Sequence, residues 1–193
     1  VDGQGTAIFN DSCWVNSNRN PGWSRDQIES ELKNVLGLQK IIWLPGIKGK
    51  DITDAHVDFY ARFVRPGVVI ANLDNDPESY DYAVTRANLD ILNSAIDANG
   101  RSLEVHTLPP PETLRKNTFT NGNSNFAAGY VNYVLVSGAV IAPEFGDATA
   151  DAYCLNLLQS LYPSREIIQL NIDPIAAGGG GIHCVTHHQP TTT

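Results

Sequence analysis

The feature that most constrains this chain is a period. Helix-ending Gly37 and Gly100 stand 63 positions apart, strand-ending Pro45 and Pro109 stand 64 apart, and Pro174 lies 65 beyond Pro109. A recurrence of this length marks a repeated supersecondary unit, arranged around an axis or along a stack. In the first segment, β-rich pieces flank Asn10-Asp11 between Gly5 and Val15. Ser24 with Gln27 three residues on reads as a capping box. Ile28, Leu32, Val35 and Leu36 form the predicted buried face of the next helix, and Gly37 stops it. Gln39 to Leu44 reads as a strand ended by Pro45.

The second segment repeats the plan. It predicts a strand from Val57 to Val64, a turn at Pro66-Gly67 and a return from Val68 to Ala71. A helix then runs from the polar loop Asp74–Ser79 to Asn99, with Leu89, Leu92 and Ile96 inward, before a strand from Leu103 to Leu108. The third segment gives strands at Tyr130–Val136 and Ala139–Ala142, a helix from about Ala148 to Tyr162 capped by Asp147, and a strand at Ile167–Ile172. The fold class expected is α/β, built of strand–strand–helix–strand units at roughly 1–50, 51–115 and 126–175, with a closing strand at 180–190, in one domain spanning 1–193. Chance similarity among α/β segments is the alternative. The long loop Glu112–Asn125 is expected to be functional or mobile. The first unit lacks an opening strand and the last is only a first strand, so the chain reads as part of something larger.

Composition removes several classes. A net charge of −8 and a pI near 4.9 argue against a nucleic-acid footprint, which is basic. No run approaches the roughly 18 apolar residues of a membrane-spanning helix, and the amino end shows no signal-peptide pattern. The chain begins at Val1 and contains no Met, as expected of a processed or truncated product. Three widely spaced cysteines, Cys13, Cys154 and Cys184, make neither a disulfide framework nor a zinc site. Cys13 falls in a strand-like run and Cys154 on an amphipathic helix, which predicts two buried thiols.

The chemistry concentrates in two places. Gly178 to Gly181 run into Ile182-His183-Cys184, where glycine lets backbone approach a ligand closely; the other reading is a flexible tail with a buried thiol. Asp54, His56 and Asp58 alternate, so on a strand they share one face, with His56 and Asp58 roughly 6.6 Å apart. An imidazole beside carboxylates suits proton transfer, and the carboxylates suit a guanidinium or ammonium ligand; the other reading is a solvated strand edge. On a strand, His183 and Cys184 point to opposite faces, so the base for a nucleophilic Cys184 comes from elsewhere, with His56 the best candidate. Adjacent His187 and His188 diverge and have no third ligand, so no metal is expected. The glycine run lacks the succeeding Lys-Ser/Thr and helix that a phosphate loop needs.

Asn18-Arg19-Asn20-Pro21, Thr53-Asp54-Ala55-His56-Val57-Asp58, Gly129-Tyr130-Val131-Asn132, Pro143-Glu144-Phe145-Gly146-Asp147 and Gly178–Pro190 together resemble the agmatine deiminases, which sit with the bacterial-type peptidylarginine deiminases among the guanidine-modifying penteins. The resemblance covers essentially the whole chain. It implies a pentein-type α/β propeller of five ββαβ units around a pseudo-symmetry axis, of which about three are present. It implies Cys184 as nucleophile, His56 as general acid/base and Asp58 as a carboxylate gripping the guanidinium, with Asp54 and Gly181 on the substrate side. Where the family usually has Gly this chain has Ala55, and His187-His188 replace Gln-Gln. The second guanidinium-binding carboxylate of the family lies in an amino-terminal Trp-x-Arg-Asp context, to which Trp23-Ser24-Arg25-Asp26 is an accidental likeness.

The activity implied by the resemblance is hydrolysis of agmatine to N-carbamoylputrescine and ammonia through a covalent cysteine thiouronium, without cofactor. A peptidylarginine deiminase is the alternative enzyme, although Thr186-x-x-Gln189-Pro190 is nearer the agmatine type. An inactive pentein fragment or binding module is the alternative outside catalysis. The partners implied are a small cationic guanidine, no nucleic acid, no membrane, and a missing amino-terminal half or a second copy, possibly as a homo-oligomer. The family points to the cytoplasm, while the absence of Met fits a secreted protein equally.

Overall fold

The structure, a computed structural model, describes residues 1–189 of the 193. Pro190, the end of the predicted closing strand, lies outside the described residues. The chain forms two compact units, Val1–Pro109 and Pro110–Thr193.

The first unit opens with β1 (Thr6–Asn10), which runs parallel to β2 (Lys40–Leu44), Thr6 opposite Lys40 and Asn10 opposite Leu44. Between them lie α1 (Asp11–Trp14) and α2 (Arg25–Leu36). The β-rich piece expected after Asn10 is therefore a helical turn, and Cys13 is buried within it. The start of α2 is the reciprocal capping box: the Ser24 hydroxyl accepts from the Gln27 amide while the Gln27 side chain accepts from the Ser24 amide. Gly37 ends it at φ 65°, a left-handed conformation that Gly adopts without the steric cost of a Cβ. Its inward face is narrower than expected. Ile28 and Leu32 pack with Ile41 and Trp43, but Val35 and Leu36 are 67% and 51% exposed. An i, i+4 stripe is all that a sheet two strands wide covers.

The rest of this unit is one ββαβ repeat. Strands β3 (Ala61–Arg65), β4 (Val68–Asn72) and β5 (Glu104–Leu108) lie in that order, the first pair antiparallel and the second parallel. Helix α3 (Tyr82–Ser94) makes the crossover and is shorter than predicted. Its buried residues are Val84, Thr85, Asn88 and Leu92, whereas Leu89 is only half-buried and Ile96 is 46% exposed. The helix stops because Ala95 turns extended, and Ile96 then bridges Ser102 beyond a turn held by the buried Asp97. Ile8, Leu44, Phe63, Val69, Ala71 and Leu92 share one core, which joins the two sheets of this unit.

The second unit repeats the topology with β6 (Val134–Val136), β7 (Ala139–Glu144), α4 (Ala148–Leu161) and β8 (Glu166–Asn171). The strand predicted from Tyr130 starts only at Val134, because Tyr130–Tyr133 is taken up by a turn in which the Asn132 amide donates to the Gly129 carbonyl. Asp147 caps α4 as predicted, accepting from the amides of Thr149 and Ala150. Its second oxygen accepts from Glu112 and Thr113, and Arg115 reaches Glu144 and Asp173, so the long loop is stitched down. A short α5 (Asp173–Ala176) leads into the glycine run.

A tether recurs in both ββαβ repeats. The buried Tyr60 hydroxyl donates to Asp81 Oδ1 at 2.8 Å, and the buried Tyr130 hydroxyl donates to Asp151 Oδ1 at 2.7 Å, each across 21 residues. In both cases a residue just ahead of the first strand is tied to the start of the crossover helix. Burial foremost, and then the facing carboxylate, pushes both phenols far above their ordinary pKa.

Candidate active site

In the first unit the segment carrying Asp54, His56 and Asp58 is not a strand. Asp54 and Ala55 sit at φ 60° and 69°, His56 is extended, and Val57–Phe59 forms a 3-10 turn. The alternation that would line up the three side chains is thereby lost. Local propensity favours a strand here, and longer-range hydrogen bonds override it. Ser12 Oγ donates to the Asp54 carbonyl at 2.7 Å, and Asn10 Nδ2 to the Ala55 carbonyl at 2.9 Å. The Asp54 carboxylate accepts from the Gly49 amide at 2.7 Å through one oxygen and from Asn16 Nδ2 at 2.8 Å through the other. Asp54 thus braces this loop.

Ala55 holds its left-handed conformation at a cost: it is buried completely, and its Cβ brings a steric penalty of about 1–2 kcal/mol that Gly would not carry. Its methyl packs with Tyr60 and Val84. Gly46 is confined by the same corner: a Cβ there would lie 2.1 Å from Ser12 Oγ and 2.8 Å from the Ala55 methyl.

His56 and Asp58 are both half-buried. The His56 amide donates to Thr53 Oγ1, and its Nε2 lies 3.2 Å from Arg19 Nη2. A guanidinium only donates, so that contact is a hydrogen bond only in the tautomer whose Nε2 carries the lone pair. In the sequence Arg19 is visible only as part of a motif; what places it at the ring is its second bond, to the Thr53 carbonyl.

In the second unit, Cys184 stands on a 3-10 turn, His183–Val185, rather than on the strand expected from Ile182 to Gln189. The rule that sends His183 and Cys184 to opposite faces therefore does not apply. Cys184 is exposed, while Cys13 and Cys154 are buried. Burial pushes both of those thiols up, Cys154 to about 12. The flexible-tail reading with a buried thiol is set aside by this exposure.

The turn is held by Asn132, which is fully buried. Asn132 Oδ1 accepts from the His183 amide at 2.9 Å, and Asn132 Nδ2 donates to Cys184 Sγ at 3.4 Å. The glycines make room for this. A Cβ on Gly181 would lie 2.2 Å from Asn132 Oδ1, and one on Gly180 would lie 3.3 Å from the Cys184 Cβ. Sequence reasoning gives Asn132 a place in a motif but no role, since nothing in the sequence brings it to a turn 52 residues away.

Two antiparallel-then-parallel ββαβ units, with an exposed cysteine after the last, define the pentein class. The chain belongs to the Porphyromonas-type peptidyl-arginine deiminase family, which it matches over residues 1–190. It is 39% identical to an agmatine deiminase of Pseudomonas fluorescens (strain SBW25) over 98% of this chain and 55% of the relative. An agmatine deiminase of Medicago truncatula is 38% identical, with the same coverage. The solved agmatine deiminase of Enterococcus faecalis superposes with a TM-score of 0.89 at 31% identity, over 98% of this chain and 55% of that one. The chain thus spans about half the length of the curated relatives it matches.

Proposed function

We propose that this chain carries the nucleophile and the acid–base group of a guanidine hydrolase of the agmatine deiminase type. The observation that carries the reading is the exposure of Cys184 on its glycine-backed turn, in a chain whose relatives are named for deimination of agmatine. A guanidinium stays protonated and resonance-stabilised, so its carbon is a poor electrophile. Asp58 accepts hydrogen bonds from the cation and localises its charge, while Asp54 adds negative charge on the same segment and Gly181, on the substrate side by the family resemblance, makes room for the Asn132 amide beneath the cysteine turn. The Cys184 thiolate attacks the guanidinium carbon. Protonated His56 delivers a proton to the departing nitrogen, which leaves as ammonia. The thiouronium that results is attacked by water, with His56 accepting the proton and the thiolate leaving, so that agmatine becomes N-carbamoylputrescine.

The second guanidinium-gripping carboxylate is supplied from outside the chain, by an amino-terminal portion or a second copy. Two facts support this: the relatives are nearly twice as long, and the β1–β2 sheet has two strands where the others have three. An unpaired sheet edge invites a partner strand. Size measurement under native and denaturing conditions tests it, and a well-folded 21.0 kDa monomer active by itself counts against it.

The test of function is ammonia release from agmatine, free arginine and an arginyl peptide, using the chain and the longest form of the protein that contains it. Agmatine is the expected substrate, and Cys184→Ser abolishes product with folding unchanged. Preference for the arginyl peptide favours the activity in the family's name instead. No release from any of the three leaves a pentein binding module.

A further inference from the structure

We infer that Asn132 is the positioning residue of the Cys184 sulfur, holding the turn through one end of its amide and hydrogen-bonding the thiolate through the other. This deepens the proposed function and rests on it for the role of Cys184 as nucleophile.

The orientation of the amide is fixed chemically. The His183 backbone N–H can only donate, so the Asn132 atom 2.9 Å from it is the oxygen. The nitrogen is then the atom that faces Sγ at 3.4 Å. The oxygen also lies 3.7 Å from Sγ, on the side where a neutral thiol donates. One rigid amide therefore serves both protonation states: the thiol gives its proton toward Oδ1, and the thiolate receives a hydrogen bond from Nδ2. Complete burial of Asn132 keeps water from replacing either bond. The glycine at 181 is what lets this happen, since any side chain there would collide with the amide.

His183 is a titratable neighbour of Cys184 on the same turn, and the Asn132 amide that reaches the sulfur from another segment carries no charge. A donor lost from a thiolate under these conditions slows its formation at neutral pH. A charge-assisted hydrogen bond corresponds to about a tenfold effect and an upward shift of about one unit in the thiol midpoint.

The experiment is alkylation of the chain by iodoacetamide across pH, read by mass spectrometry at each cysteine, with no guanidine substrate present. Buried Cys13 and Cys154 are the internal control for folding, because a folded chain is modified at Cys184 alone. In Asn132→Ala the rate at pH 7 falls about tenfold, and the rates converge or invert at high pH, where a more basic thiolate is intrinsically more nucleophilic. Asn132→Asp keeps the shape and replaces the donor by a carboxylate oxygen; it shifts the midpoint further upward. A general loosening of the turn would change the rate at every pH alike. Midpoints and rates equal to wild type in both variants, with Cys13 and Cys154 still protected, overturn the inference. A failed deiminase assay with these shifts intact would count against the proposed function and leave the positioning role standing.

Discussion

The corner formed by Gly46, Ser12 and Ala55 sets the loop that carries His56, and its tightness can be measured. Replacing Gly46 by Ala puts a methyl 2.1 Å from Ser12 Oγ and 2.8 Å from the Ala55 methyl, where neither neighbour can retreat freely. Ser12 is held by its bond to the Asp54 carbonyl, and Ala55 is buried at positive φ. Overpacking of this kind costs about 1–3 kcal/mol, while the stiffer unfolded chain returns about 0.4–1 kcal/mol. Gly46→Ala is therefore expected to destabilise by about 1–2 kcal/mol. Over a chain this long that lowers Tm by roughly 2–8 °C. Ser12→Ala alone loses one hydrogen bond, about 1 kcal/mol. It also removes the atom that collides, so in the double variant the cost of Gly46→Ala falls by about half. The assay is a double-mutant cycle in urea. A coupling of about 0.5–1 kcal/mol is expected, at or above the roughly 0.3–0.5 kcal/mol within which distant sites add. Strict additivity, or a Gly46→Ala chain as stable as wild type, would refute the claim that this corner is closed.

Two other outcomes rest on single residues. The amide of Ala150 foremost, with those of Glu112, Thr113 and Thr149 against a smaller opposing effect of burial, holds the Asp147 carboxyl below its ordinary value. Its stabilisation is complete above the unfolded value near 3.9 and is lost as pH falls through the folded value below that. Asp147→Asn keeps one cap oxygen but puts an NH2 where the Glu112 and Thr113 amides donate, so it should cost about 1 kcal/mol at pH 7 and converge with wild type in acid, as read by urea midpoints across pH. At Ala55, Gly would relieve about 1–2 kcal/mol of left-handed strain. It would also add about 0.4–1 kcal/mol of unfolded-state entropy and lose about 0.8 kcal/mol of buried methyl. Ala55→Gly is thus expected within about 0.5 kcal/mol of wild type by thermal melting; a larger change in either direction shows that one of these three contributions is misjudged.

What was legible in the sequence is what local chemistry decides. The Ser24–Gln27 capping box, the Gly37 stop, the Asp147 cap and, in the second and third segments, the strand–strand–helix–strand order stand in the structure, whereas the first segment runs strand–helix–helix–strand. The burial of Cys13 and Cys154 was legible too. Where reading failed, contacts from far along the chain had decided the backbone. Asp54, His56 and Asp58 alternate as on a strand, yet bonds from Ser12, Asn10 and Asn16 hold Asp54 and Ala55 in the left-handed region. Cys184 falls within the strand predicted from Ile182 to Gln189, yet Asn132 holds His183–Val185 in a turn. Period and propensity carry no information about such bonds, and the His56 segment and the Cys184 turn are each built from them.

The paired tyrosine–aspartate tether has a consequence for how the chain divides. Since each copy fastens its own leading strand to its own crossover helix, neither repeat borrows that fastening from the other. The three prolines at 109–111 lie where one unit ends and the other begins, so each side of that boundary carries a complete lock of its own.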